Sequence, residues 1–126
     1  MKSVINCEKR KDLCERTFQF ALRIVNLCQE QSKNSGTART MGNQLLRSGT
    51  SIGANVEEGK ASQSEADFVS KYSIACKEAR ETHYWLRLLS ESKLISPDKL
   101  VDLMAECNEI IAILTTIVKK VKSKKA

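Results

Sequence analysis

The chain has 126 residues, of which 41% are hydrophobic and 29% charged, which is the balance of a soluble globular protein. No apolar run approaches the roughly 18 residues of a membrane-spanning helix, and the N-terminal residues lack the apolar core of a secretion signal. We therefore expect a cytoplasmic protein without membrane contact, folded as one domain over residues 1–126.

The first predicted helix runs from about Cys7 to Lys33 and stops at Gly36. Its apolar side chains form two neighbouring stripes at helical spacing, and we expect both stripes to be buried. The first stripe consists of Leu13, Thr17, Phe20, Ile24 and Leu27, and the second of Cys14, Phe18, Ala21, Val25 and Cys28.

The second predicted helix runs from about Ala38 to Glu58 and closes at Gly59. Gly49 and Gly53 lie one turn apart inside it, although each interior glycine costs a helix about 1 kcal/mol relative to alanine. Such a cost indicates that another backbone approaches closely. Two partners stay open: a second subunit docking on a ridge of small residues, or a helix of the same chain. The ridge consists of Thr50, Ser51, Gly53 and Asn55.

The third predicted helix begins near Ser64 and ends near Lys93, with Ser62 as an alternative start. The fourth begins with Ser96 as cap and Pro97 at the first helical position. Short connections join antiparallel neighbours, so the sequence predicts an all-α, antiparallel up-down-up-down four-helix bundle. We expect burial of one unbroken row of the third helix: Phe68, Tyr72, Ala75, Ala79, Thr82, Leu86 and Leu89.

Two acidic residues of the third helix, Glu78 and Glu81, lie at the edge of an apolar face. Carboxylates in such a position need partners because removing a charge from water is costly. Lys77, Arg80 and Arg47 are the candidate cations. A metal or acid–base site is the functional alternative for this pair.

Catalytic and metal-binding patterns are missing from the sequence. The five cysteines include no Cys-x-x-Cys pair, and no glutamate lies three residues before His83, the only histidine. No Gly-Lys-Ser/Thr loop occurs, and nothing pairs His83 with a nucleophile. We therefore expect a non-enzymatic protein without a cofactor or metal, and with reduced, buried cysteines.

The positive charge is concentrated at the C-terminal end, residues 119–126. Five of the 21 basic residues lie there, which leaves 16 basic against 15 acidic residues elsewhere. A lysine cluster suits phosphate groups or an acidic partner, but also the negative end of a helix dipole. The candidate nucleic-acid contacts are Lys119, Lys120, Lys122, Lys124 and Lys125, with Arg39, Arg47, Arg80 and Arg87 as secondary candidates.

The segment from Arg47 to Gly59, RSGTSIGANVEEG, resembles the signature of the four-helix-bundle proteins encoded in intervening sequences of bacterial 23S rRNA genes. The segment from Lys77 to Leu89 resembles the third helix of that family, and the likeness spans roughly Leu13 to Val121. This chain has Lys77-Glu78 where many relatives have Gly-Ser, so no role is carried over to those positions. The signature maps onto Ser48, Ile52, Asn55, Glu58, Gly59 and Glu81, beside Gly53.

The resemblance implies a fold similar to that of the accessory proteins of diversity-generating retroelements. Those proteins form pentameric rings with basic surfaces and are thought to engage nucleic acid and a reverse transcriptase. The resemblance therefore implies a homo-oligomer, with a pentamer as the expected form, and no enzymatic activity. The function that we expect is a helical module that contacts RNA or DNA through basic residues. The alternative is a protein–protein scaffold without nucleic-acid binding.

Overall fold

Four long helices make up the architecture. The computed structural model describes the backbone of residues 2–34 and 36–124 and the side chains of residues 13–34 and 36–124. Within these residues there is no strand, and consecutive helices pack against each other while α4 returns to α1. The predicted four-helix bundle is thus confirmed. The helices are α1 (Lys2–Glu30), α2 (Thr37–Lys60), α3 (Glu65–Glu91) and α4 (Pro97–Ser123).

The contact between α1 and α4 shows the antiparallel arrangement directly. Arg16 donates to both carboxylate oxygens of Glu106, at 3.1 and 2.6 Å. Farther along α1, Glu30 pairs with Lys99, which lies near the start of α4. In the described part of the chain, none of the helices has an apolar stretch long enough to cross a membrane.

Local capping explains where α3 and α4 begin. The hydroxyl of Ser64 accepts a hydrogen bond from the backbone N–H of Asp67 at 3.1 Å, which selects Ser64 over Ser62 as the cap. Pro97 occupies the first turn of α4 as predicted, although the Ser96 side chain makes no cap hydrogen bond. The predicted start of α1 at Cys7 was too late, because the helix begins at Lys2.

The core consists of one row from each helix. Every residue of the first predicted stripe of α1 and of the predicted row of α3 is buried, which confirms both. The second stripe of α1 is buried at Cys14, but its predicted burial was wrong for Phe18 and Val25, which are 54% and 40% exposed. The reason is geometric: α1 packs against α2 and α4, so the core covers the first stripe and only part of the second.

The glycines of α2 pack against α1 of the same chain. A Cβ atom at Gly53 would lie 3.3 Å from the carbonyl oxygen of Thr17, and one at Gly49 would lie 3.0 Å from the side chain of Ile24. The close approach is therefore internal, and the alternative of a second subunit at Gly53 was wrong. The neighbouring polar side chains are likewise satisfied inside α2, where Thr50, Ser51 and Asn55 donate to carbonyl oxygens three or four residues earlier.

Gly59 lies inside α2 instead of closing it, which corrects the predicted end of this helix. Its φ is not positive, so it does not form a left-handed cap. A Cβ atom at this position would lie 2.5 Å from two ring carbons of Tyr72 on α3. That ring is fully buried and stacked on Phe68, with centroids 4.1 Å apart, so it cannot move aside. Gly59 is needed for the contact between α2 and α3.

We predict that Gly59→Ala lowers the free energy of unfolding by about 1–3 kcal/mol, because the added methyl group overpacks the Tyr72 ring. Gly42→Ala is the matched control, since α2 leaves open space within 4 Å of that position. It should raise stability by about 0.5–1 kcal/mol through helix propensity alone. Thermal unfolding followed by circular dichroism measures both, and equal melting temperatures for the two variants would contradict the packing argument.

Candidate functional site

A charged cluster joins α2 and α3 at the surface. The guanidinium of Arg47 on α2 pairs with Glu78 at 3.3 Å and, through its other terminal nitrogen, with Glu81. Of the three cations considered from the sequence, Arg47 is thus the partner of both carboxylates. Because both acids are engaged, the cluster stabilises the helix pair and does not resemble an open metal or acid–base site.

Trp85 completes this cluster on α3. Its ring N–H donates to the Glu81 carboxylate at 3.2 Å, and its ring makes an edge contact with Tyr84 at a centroid distance of 5.3 Å. The hydrogen bond from Trp85 is the largest effect on the pKa of Glu81, and it lowers that pKa. Desolvation is the next largest and opposes it, but the hydrogen bond and charge of Arg47 and the charge of Lys77 lower the pKa further, so it lies below its ordinary value. Glu81 is therefore ionised at neutral pH.

Two buried hydroxyl groups lie beneath the cluster. The oxygens of Ser48 on α2 and Thr82 on α3 are 2.9 Å apart and hydrogen-bonded, and both residues are fully buried. The Thr82 hydroxyl also lies 2.7 Å from the carbonyl oxygen of Glu78, and the Ser48 hydroxyl lies 3.4 Å from that of Leu45, so each hydroxyl has an acceptor in its own helix. The bond between the two side chains adds a buried polar contact that joins α2 to α3 at this level.

The other signature residues have structural contacts as well. Glu58 pairs with Lys71 of α3 at 2.9 Å, Ile52 is fully buried, and Asn55 donates to the carbonyl oxygen of Ser51 at 2.9 Å. Together with Ser48, Gly59 and Glu81, most of the signature lies where α2 packs against α3. Helix packing thus accounts for most of the signature, whereas the hydrogen bond of Asn55 lies within its own helix.

The arginines predicted to contact nucleic acid divide into two groups. Arg47 is engaged in the α2–α3 cluster, and Arg87 pairs with Glu91 one turn along α3 at 2.7 Å. Arg39 and Arg80 are exposed, and neither pairs with a carboxylate within the described residues. Of these four arginines, only Arg39 and Arg80 can therefore bind a phosphate without breaking an ion pair.

The C-terminal lysines extend from a regular helix. α4 continues to Ser123, and the backbone N–H of Lys124 still donates to the carbonyl of Lys120 at 3.3 Å. Val121 is only 8% exposed and anchors this last turn in the core. The exposed lysines around it are Lys119, Lys120, Lys122 and Lys124, whereas Lys125 lies outside the described residues.

A groove between α3 and α4 brings three cations together. It has a volume of about 390 Å³, and none of the residues lining it is acidic. The thiol of Cys76 and the hydroxyl of Thr115 meet across it at 3.4 Å. From the sequence, Lys77 was considered only as a partner for Glu78 and Glu81. Its spacing from Ser73 and Arg80 nevertheless places all three residues on one face of α3. The lining residues are Ser73, Cys76, Lys77, Arg80, Thr115, Val118 and Lys119.

The described cysteines are free thiols. Burial raises the pKa of Cys107 to about 12, and its thiol donates to the carbonyl oxygen of Ala79 at 3.2 Å. Burial also raises the pKa of Cys14 and of Cys28. Among the side chains described, no group of three histidines, cysteines or acids is placed to hold a metal ion.

Comparisons with known proteins agree with the geometry. A family model described as "23S rRNA-intervening sequence protein" matches residues 9–116. A crystal structure from Bacteroides thetaiotaomicron, described as a protein with unknown function from the S23 ribosomal protein family, is 41% identical in sequence. The similarity covers 88% of this chain and 98% of that one, with a TM-score of 0.78. A comparison with curated proteins finds no match.

The charged cluster predicts a pH-dependent signal from Trp85, the only tryptophan in the chain. Fluorescence should titrate with a midpoint below the pKa of an unperturbed glutamate, because Trp85 bonds to the Glu81 carboxylate. Ionised Glu81 contributes stability above the pKa of the unfolded chain, and this contribution is lost as the pH falls through the lowered folded-state pKa. Arg47→Gln should raise the midpoint.

The control for this titration is Arg87→Gln, which removes the ion pair with Glu91 and leaves the cluster intact. Its fluorescence midpoint should match that of the unmodified protein. If Arg47→Gln gave the same midpoint as Arg87→Gln, the result would show that Arg47 does not lower the pKa of Glu81.

Proposed function

This chain belongs to the 23S rRNA-intervening sequence protein family, and from that premise we propose that it is a non-enzymatic, homo-oligomeric helical module that binds nucleic acid. The observation that carries the proposal is the set of exposed cations without an acidic partner on the last turns of α4 and the adjoining face of α3. RNA is the proposed ligand, which implies a cytoplasmic site of action.

The distribution of ion pairs supports this choice of surface. Arg16, Arg47, Lys71, Arg87 and Lys99 each pair with an acidic side chain of the same chain. The cations of the last turns of α4 do not, within the described residues, so they are available to phosphate groups. Contacts of this kind neutralise phosphates and carry little information about base sequence.

Exposed apolar side chains support self-association. One patch lies on α1, where Phe18, Leu22 and Val25 follow each other at helical spacing and are 54%, 41% and 40% exposed. The second surface, called the α3 patch, is more dispersed: Ile74 and Leu88 are 39% and 38% exposed and lie about four turns apart, with the charged cluster between them. Exposed apolar side chains such as those grouped on α1 are typical of protein–protein contacts.

The two patches suit a ring of subunits. A contact that pairs different surfaces of two copies is heterologous, and it closes into a ring when the rotation between copies permits. We propose that the α1 patch of one copy packs against the α3 patch of the next, with five copies as the number that the family resemblance suggests. This places the interface on α1 and α3, whereas the docking surface considered from the sequence was the small-residue ridge of α2.

The second candidate function is a scaffold that binds proteins only. It is favoured by the same apolar patches and by the exposed Tyr84 next to Trp85, a residue pair common at interfaces. The analogy with the retroelement accessory proteins suggests a reverse transcriptase as one partner. Pull-down before and after nuclease treatment separates the two functions, because partners held through RNA are lost on digestion.

If the protein binds RNA, its affinity should fall with salt, and the C-terminal lysines should account for much of that salt dependence. Replacing Lys120, Lys122 and Lys124 with glutamine should lower the slope of log affinity against log salt by up to about 2, since each single-strand phosphate contact contributes about 0.7. Filter binding with total RNA at low salt measures this. Deletion of the end is unsuitable because it would also remove the buried Val121.

The matched control replaces Arg23, Lys33 and Lys93 with glutamine, which removes the same charge from exposed positions elsewhere. This variant should keep the original slope. Absence of RNA binding by the unmodified protein at low salt would refute the nucleic-acid proposal. The protein–protein scaffold would then be the remaining candidate function.

The oligomer proposal predicts that Phe18→Asn combined with Leu22→Asn releases monomers, because both side chains are exposed in the single chain and buried in the proposed interface. Size-exclusion chromatography with light scattering at micromolar concentration measures the mass. Val101→Asn is the control, since Val101 is 59% exposed on α4 and lies outside both patches. A strictly monomeric unmodified protein would refute the proposal.

A further inference from the structure

We infer that the groove between α3 and α4 is a seat for backbone phosphates of a single RNA strand, an inference that rests on the proposed nucleic-acid function and gives it a location. The groove is formed by two helices that the core holds together, with a volume of about 390 Å³. It is an open surface groove, and the packing of α3 against α4 sets the positions of its two sides.

The charge of the groove is of one sign. Lys77 and Arg80 project from α3, and Lys119 projects from the facing side of α4. Arg80 and Lys119 pair with no carboxylate among the described residues, and no acidic side chain lines the groove. Because α3 and α4 are antiparallel, Arg80 and Lys119 lie one turn from the Cys76–Thr115 contact in opposite directions. The cations are therefore spread along the groove, where each can neutralise a different phosphate of an extended strand.

The remaining lining suits a phosphodiester group. The hydroxyls of Ser73 and Thr115 can donate to phosphate oxygens, and the guanidinium of Arg80 offers a planar pair of donors. Thr115 also meets the Cys76 thiol at 3.4 Å, which ties the two walls together at this level. The site thus combines charge neutralisation with hydrogen bonding, as phosphate contacts in nucleic-acid complexes do.

The groove continues in both directions along the helices. Lys122 lies seven residues after Thr115 and so falls on the same side of α4, one turn beyond Lys119. On α3, Tyr84 lies four residues after Arg80 and is 56% exposed, which presents an aromatic ring at the other end. A cationic track with an exposed aromatic ring is the combination used to hold single strands, through phosphate contacts and base stacking.

The test uses the full chain and a fluorescent single-stranded oligouridine, with affinity measured by anisotropy over a range of salt concentrations. Replacing Arg80 and Lys119 with glutamine should weaken binding on the order of 20-fold at 0.1 M salt and lower the log–log slope by about 1.4. Lys77 is left unchanged because it also acts on Glu81. Exchanging the two cations, by Arg80→Lys with Lys119→Arg, should keep the slope.

The control variant carries Arg23→Gln and Lys33→Gln, which lowers the net charge equally at exposed positions on and after α1. Its affinity should change by about twofold or less, through long-range charge alone. If this variant and the groove variant lose affinity equally, the groove is refuted while RNA binding stands. If the unmodified chain does not bind oligouridine at low salt, both the groove and the proposed function are refuted.

Discussion

The closeness of α2 to its two neighbours is the constraint on which the bundle depends. Gly53 lets the backbone of α1 approach at Thr17, and Gly59 leaves room for the Tyr72 ring of α3. The buried bond between Ser48 and Thr82 joins α2 to α3 at the level of the charged cluster. With α2 held on both sides, the rows that face inward on all four helices meet in one core.

This constraint also explains what the sequence could and could not reveal. Helical periodicity and the Pro97 start were sufficient for the fold, because each reflects a strong local preference. The partner of Gly53 could not be identified from the sequence. A glycine in a helix indicates that another backbone packs closely, but it does not indicate which helix supplies that backbone. The exposure of Phe18 was missed for a similar reason: an apolar stripe looks the same whether its cover is internal or another molecule.

The charged residues show the same limit. Sequence reasoning found that Glu78 and Glu81 need a cation, but Arg47 is 31 residues away from the nearer one, and only the packing of α2 on α3 selects it over Lys77 and Arg80. Arg80 lies on the side of α3 that faces α4 because of its position on the helix. The basic groove therefore follows from the packing of α3 against α4, and a count of positive residues along the chain does not reveal it.

The burial of Val121 has a consequence for the lysines around it. A terminal segment without a core side chain fluctuates, and ordering it on binding costs conformational entropy. Here the last turn of α4 is anchored by folding itself, so the backbone that carries Lys119 and Lys122 is ordered before any ligand arrives. Binding through these lysines has to order only their side chains, whereas a flexible polylysine tail must order its backbone as well.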